Sequence, residues 1–184
     1  DMVGLAVAVI EDGEIRFAKG YGYTAIGGAP VTDETVFRWA SLSKGVAASE
    51  VAILAGEARL NLSDTVAKFK TSLRLPGGGE TRATLEDVLS HGLKMICPIG
   101  ECHSYQNVAF DTVAEVVEQV TQTKYADAID ASLFKPLGMV TASIGRVGLE
   151  ASPSWARPYA KREKDSGPPR PKTVNDDYYR VPAA

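Results

Sequence analysis

Phe37-Arg-Trp-Ala-Ser-Leu-Ser-Lys44 is the stretch that decides what this chain is. It ends in Ser41-Leu-Ser-Lys44, of the form Ser-x-x-Lys, and a helical pattern begins there: Ala47, Val51, Leu54 and Ala55 recur at three- and four-residue intervals, with a stop at Gly56. A serine opening a helix and a lysine three residues on project from one face. The helix N-terminus adds a backbone N–H and partial positive charge beside the serine. A serine hydroxyl is a weak nucleophile until a base takes its proton, and a lysine amine can do so only where burial and its neighbours favour the neutral form. Phe37, Trp39 and Ala40 supply apolar bulk for such a pocket. The plainer alternative is a serine N-cap followed by a solvated lysine.

Spelling alone does not choose between these, because Ser132-Leu-Phe-Lys135 is a second copy. Ser132 falls in the last turn of a helix expected from Tyr125 to Phe134, and Lys135 precedes Pro136, which disfavours helical geometry at Lys135. Context therefore favours Ser41 and Lys44. A second constellation, Tyr105-Gln-Asn107, comes just before a helix expected to run from Asp111 to Val120. A phenol can relay or accept a proton near the serine, and an Asn amide can hold both a lysine and a substrate carbonyl.

The rest of the chain has ordinary globular composition. Its 184 residues are 45% hydrophobic and 23% charged, with a formal net charge of −3. The length suits one compact domain with a sizeable core. Twenty basic against 23 acidic residues, with no basic block, argue against a nucleic-acid partner. No run approaches the length of a membrane span. No secretory signal precedes Val3–Ile10, so the chain is either cytoplasmic or has lost one. Its other end, Arg180-Val-Pro-Ala-Ala184, stops without a capped helix or completed strand, which reads as an incomplete chain.

Val3–Ile10 is apolar at nearly every position and suits a strand covered on both faces. Asp12-Gly13 supplies a tight turn, and Glu14–Tyr23 an antiparallel partner. Gly27-Gly-Ala-Pro30 closes this N-terminal hairpin, residues 1–30. Thr84 with Asp87 spells a capping box ahead of Leu85, Val88 and Leu89. A helical region with the motifs thus covers 41–150, and a polar segment 151–184 follows, with a long exposed loop over 161–177. Strands first and helices after them indicate an α+β fold.

Two further spellings carry less. Gly20-x-Gly22-x-x-Ala25 matches a relaxed dinucleotide fingerprint, but Ile26-Gly-Gly-Ala-Pro30 cannot continue as the helix that motif needs. Cys97 and Cys102, bracketed by His91 and His103, lack the usual zinc spacing, and free thiols or a local disulfide fit better.

The chain resembles the penicillin-recognising serine hydrolases, in the branch that holds class C β-lactamases, D-alanyl-D-alanine carboxypeptidases and related esterases. Gly4–Gly13, Ala18–Gly22, Phe37–Lys44, Leu89-Ser-His91, Tyr105–Phe110 and Phe134–Met139 look like that family's landmarks in their usual order. The resemblance implies a single β-lactamase/transpeptidase-like domain over 1–184, an antiparallel sheet flanked by helices with a helical lobe, here without the C-terminal strands. It makes Ser41 the acylated nucleophile, Lys44 its proton acceptor, Tyr105 a proton relay or co-base, and Asn107 a contact for substrate and lysine. It implies no metal and no organic cofactor, a small-molecule or peptide carbonyl substrate (β-lactam, D-Ala peptide or ester), and a periplasmic or secreted location, with the cytoplasm left open.

The sequence departs from that pattern in two places. The family's third motif, Lys or His followed by Thr or Ser and Gly, is not found: Lys172-Thr173 is followed by Val174. A second oxyanion donor would then have to come from elsewhere, such as the missing remainder of the chain. His91-Gly-Leu-Lys-Met-Ile-Cys97 also differs from the expected His-Thr-Ser-Gly-Leu, which bears on substrate preference; His91 and His103 read as structural or loop histidines. The alternative function is a penicillin-binding protein or inactive remnant that acylates without turning over.

Overall fold

The computed structural model describes residues 2–93, 98–162 and 166–184. They fall into two compact units, one of residues 1–38 and 141–178, the other of 39–140 and 179–184.

The first unit opens with β1 (Gly4–Glu11) and β2 (Glu14–Gly22), paired antiparallel. Asp12 and Gly13 both take positive φ, 53° and 77°, as a two-residue type I′ turn demands. The pairing runs from Glu11 with Glu14 to Gly4 with Gly22, with a bulge after Val9. The expectation of a strand covered on both faces fails: Leu5, Val9 and Ile10 on β1 and Ile15, Phe17 and Tyr21 on β2 are all exposed. The reason is the size of the sheet, which has two strands; an apolar run sets strand propensity but does not supply a cover. Gly20 and Gly22 end β2 and lead into a turn rather than a helix. A side chain at Gly20 would strike the Val31 carbonyl, so these glycines serve close chain packing and not a phosphate.

Later residues add α5 (Arg146–Ala151) and a short ladder of β3 (Tyr159–Ala160) with β4 (Arg170–Pro171). The expected loop over 161–177 is therefore interrupted by β4 and by a 3-10 turn starting at Asp176. Lys172-Thr173-Val174 follows β4 outside any strand.

The second unit is helical. In chain order it holds α1 (Ser43–Gly56), α2 (Leu85–Leu89), α3 (Asn107–Thr121) and α4 (Tyr125–Ile129). The Thr84 side chain accepts from the Asp87 backbone and the Asp87 carboxylate from the Thr84 backbone, completing the capping box that starts α2. α3 is central: it packs against α1, α2 and α4. Its apolar stripe, Phe110, Val113, Val116 and Val117, is buried against Val51 and Leu54 of α1, Leu85 and Val88 of α2 and Ile129 of α4, which make up the same core. Each such side chain contributes roughly 1.5–3 kcal/mol on burial. α3 starts four residues before the expected Asp111, and Gln122 in the left-handed region ends it. The helix expected over Tyr125–Phe134 changes after Ile129 into a single π turn, Asp130–Phe134. Residues 179–184 also belong to this unit: Ala183 is fully buried and its N–H donates to Asp111 at 2.8 Å.

Together these form an α+β fold with small antiparallel sheets and a helical body. No helix among the described residues is long and apolar enough to cross a membrane.

Candidate active site

Ser41 does not sit in the α-helix proper. It occupies a 3-10 turn, Ala40–Leu42, that leads directly into α1. The turn is set by Ala40, whose φ of 48° is costly for a residue with a Cβ. Trp39, edge-on to Phe134 with ring centroids 6.0 Å apart, anchors the chain just ahead of it. Ser41 is left exposed while Lys44, three residues on, is 8% exposed.

The first residues of α3 meet this turn. Asn107 is the helix's first residue, and its Oδ1 accepts from Lys44 Nζ at 2.7 Å. Tyr105, two residues earlier, donates its hydroxyl to Ser41 Oγ at 2.6 Å. Lys44 Nζ lies 4.7 Å from the Tyr105 ring centroid and 5.4 Å from that of Phe110, so its charge is walled by two aromatic faces. All four residues singled out from the sequence, Ser41, Lys44, Tyr105 and Asn107, are thus brought together within one unit.

Hydrogen bonding with Lys44, and then with Ser41, holds the Tyr105 phenol below its usual range. A phenolate there would reverse the bond and accept the Ser41 proton. Asp111, one turn beyond Asn107 on α3, is pushed up to about 6 by burial, opposed by the N–H of Ala183 and reinforced by Glu115.

The second Ser-x-x-Lys copy has a different environment. The Ser132 hydroxyl is bonded to Glu50, 1% exposed on α1, and to the Ala128 carbonyl. Lys135 points to solvent and pairs with Asp130 at 2.7 Å. Serine and lysine there have separate partners, although Lys135 itself is helical (φ −61°, ψ −50°), against the expectation drawn from Pro136.

The sequence reading missed the wall of the site. His91, read as a structural or loop histidine with no assigned contact, stacks on Tyr105 with centroids 4.7 Å apart and on Phe110 at 5.2 Å. The only signal was its place in Leu89-Ser-His91, a landmark without an assigned contact. Among the described residues no group of His, Cys, Asp and Glu is arranged to hold a metal. Cys97, and with it both the zinc and the disulfide readings, lies outside the described residues.

The Beta-lactamase family matches residues 1–184, the whole chain. The chain belongs to that family. Its fold is shared with the octameric penicillin-binding protein homologue from Pyrococcus abyssi, at a TM-score of 0.79 and 23% identity over 95% of this chain and 48% of that one. EstCE1, described as a hydrolase with promiscuous acyltransferase activity, superposes at 0.80 with 19% identity over 93% of this chain and 54% of its own. Among curated proteins, esterase EstB of Burkholderia gladioli is 25% identical over 95% of this chain and 53% of its own length. Protein flp of Staphylococcus aureus strain COL is 24% identical over 80% of this chain and 36% of its own. The chain therefore spans between about a third and about half of the curated relatives it matches. The Ser-x-x-Lys and Tyr-x-Asn residues lie within the stretch that the family matches.

Proposed function

We propose that this chain is the acylating part of a serine hydrolase, with Ser41 as nucleophile. The observation that carries this is the 2.6 Å hydrogen bond between Tyr105 and Ser41, made beside a lysine that is itself buried and held by Asn107. The Ser41 proton passes to the Tyr105 phenolate or the Lys44 amine as Oγ bonds the substrate carbonyl carbon. The C–N or C–O bond then breaks, the leaving group takes a proton, and water releases the acid from the acyl-serine. The positive end of α1, two residues from Ser41, favours the developing oxyanion. Asn107 contacts both Lys44 and the substrate carbonyl.

The substrate class is an activated or peptide carbonyl: β-lactam, D-Ala peptide or ester. Relatives described as an esterase and as a β-lactamase/D-alanine carboxypeptidase support that range. The same reading gives a periplasmic or secreted protein, which cell fractionation checks, and takes a second oxyanion donor from the remainder of its own chain. A longer chain carrying that donor turns over about 10²- to 10³-fold faster.

Intact-mass measurement after incubation with benzylpenicillin or a fluorophosphonate tests the proposal. One adduct, lost in Ser41→Ala, is expected. Steady product release identifies a hydrolase, and a persistent adduct identifies the penicillin-binding alternative. No adduct on folded protein, nor on a longer chain, overturns both. Nitrocefin, a short nitrophenyl ester and a D-Ala-D-Ala peptide, compared side by side, rank the substrates.

A further inference from the structure

Tyr105 is 52% exposed, yet its hydroxyl must stay aimed at Ser41. A half-exposed phenol at the start of a helix has freedom to swing into water unless something braces its ring. That brace is His91. Its imidazole packs at a tilt on Tyr105, at 32° between planes, and on Phe110, at 34°. His91 and Lys44 thus bear on the same two rings. The main chain of His91 holds the same segment independently: its carbonyl accepts the N–H of Ser104, the residue before Tyr105, at 2.8 Å.

His91 also has φ of 58°, in the left-handed region that few residues other than glycine adopt and in which histidine, like asparagine, is among the more tolerated. Its two ring contacts, together with the backbone bond to Ser104, point to a role for its side chain in the site. That role is not proton transfer. Among the described residues no hydrogen bond joins a His91 ring nitrogen to Ser41, Lys44 or Tyr105. Burial, with His103 and Lys44 nearby, holds the imidazole below its usual range and so favours the neutral ring.

We propose that His91 is a positioning residue, which aims the Tyr105 phenol at Ser41 by stacking on its ring and by tying down the chain at Ser104. The inference rests on the acyl-serine reading for its consequence in rate, but not for its consequence in geometry. An aromatic contact of this kind adds to area burial and favours one rotamer of an exposed side chain over another.

Three variants test it: His91→Asn and His91→Gly, which suit the positive φ and remove the ring, and His91→Phe, which keeps a ring. Two quantities are read in each. One is the ionisation of Tyr105, taken from phenolate ultraviolet absorbance as the difference between each protein and its Tyr105→Phe counterpart. Lys44 from α1 and Ser41 are the groups that bear on that titration, and His91 packs on the ring. The other is the rate of acylation by a fluorophosphonate. With Asn or Gly the Tyr105 ionisation moves up towards that of free tyrosine and acylation slows by about tenfold to a hundredfold, while thermal stability holds or rises. With Phe both stay within about threefold of the native protein. An Asn or Gly variant with native Tyr105 ionisation overturns the proposal, as does a Phe variant that shifts as far as Asn. If the native protein forms no adduct, the acyl-serine reading fails, and the titration alone still decides whether His91 positions the phenol.

Discussion

Lys44 Nζ donates to Asn107 Oδ1 at 2.7 Å, and that bond joins the first turn of α1 to the first residue of α3. It connects the two motifs and gives a buried cation a partner. With the Tyr105–Ser41 bond it holds the two motifs against each other.

Removing each partner is therefore expected to act in opposite ways on stability. Asn107→Leu leaves Lys44 buried without its acceptor and costs about 1–3 kcal/mol. Lys44→Met replaces the charge by an apolar chain of similar length and leaves stability unchanged or higher by up to about 1 kcal/mol. Both lose most Ser41 acylation. Urea unfolding alongside adduct formation checks the pair; equal destabilisation by the two substitutions would contradict the assignment of this bond.

Tyr105→Phe keeps the ring on which His91 and Lys44 bear but removes the hydroxyl that meets Ser41. Acylation is expected to fall by about 10²- to 10⁴-fold with little change in stability. Because Lys44 and Ser41 stabilise the phenolate, the native protein acylates faster as pH rises through a limb that lies below the ionisation of free tyrosine. That limb disappears in the Phe variant. A pH–rate profile of native and variant proteins that share the same limb would assign it to another group.

Much of this could be read from spelling, because it is local. Asp12-Gly13 demanded a turn with two positive φ values, and Thr84 and Asp87 a capping box; each involves residues within a few positions of one another. Pro136, equally local, misled in its reason, since Lys135 is helical, and Ser132 and Lys135 part because Glu50 and Asp130 claim them. Ser41 and Lys44 share a helical turn, and Tyr105 and Asn107 share a helix start, so the sequence could nominate both pairs. It could not show their union, which depends on α1 and α3 crossing in the core. The stack of His91 on Tyr105 and Phe110 was hidden for a related reason: a ring contact between a loop and a helix leaves no periodic trace. The exposure of β1 was misread because an apolar run looks the same whether or not something covers it.

Asp111, one turn beyond Asn107 and within the field of Lys44, offers a test of the electrostatics behind the site. Its carboxyl is raised from 3.8 to about 6 by burial, so the folded protein binds a proton that the unfolded chain releases. Stability is accordingly highest below the lower value and falls as pH rises from 3.8 to about 6. The full shift corresponds to about 3 kcal/mol, which partial exposure of the side chain reduces to about 1–2 kcal/mol. Asp111→Asn keeps an acceptor for the Ala183 N–H and removes the titration, so it is expected to be the more stable protein at neutral pH. Urea midpoints taken below and above the window check this, and a native slope that survives in the Asn variant would place the titration elsewhere.

The two Ser-x-x-Lys copies make the sharpest contrast, since the same four-residue pattern serves different ends. Ser132 gives the buried Glu50 carboxylate a donor, and Ser132→Ala withdraws it, with an expected loss of about 1–3 kcal/mol in stability. Its effect on Ser41 is indirect, so adduct stoichiometry at saturating reagent stays at one per chain. Ser41→Ala behaves in the opposite way: an exposed hydroxyl leaves a turn whose shape is set by Ala40 and Trp39, stability moves by no more than about 0.5 kcal/mol, and the adduct vanishes. Lys135→Met separates the second copy further. Its ammonium pairs with Asp130 at the surface, where such a bridge is worth about 0–1 kcal/mol, so neither stability nor acylation should change appreciably. If instead Ser132→Ala abolished the adduct in a protein that still unfolds cooperatively, the nucleophile would have been assigned to the wrong serine.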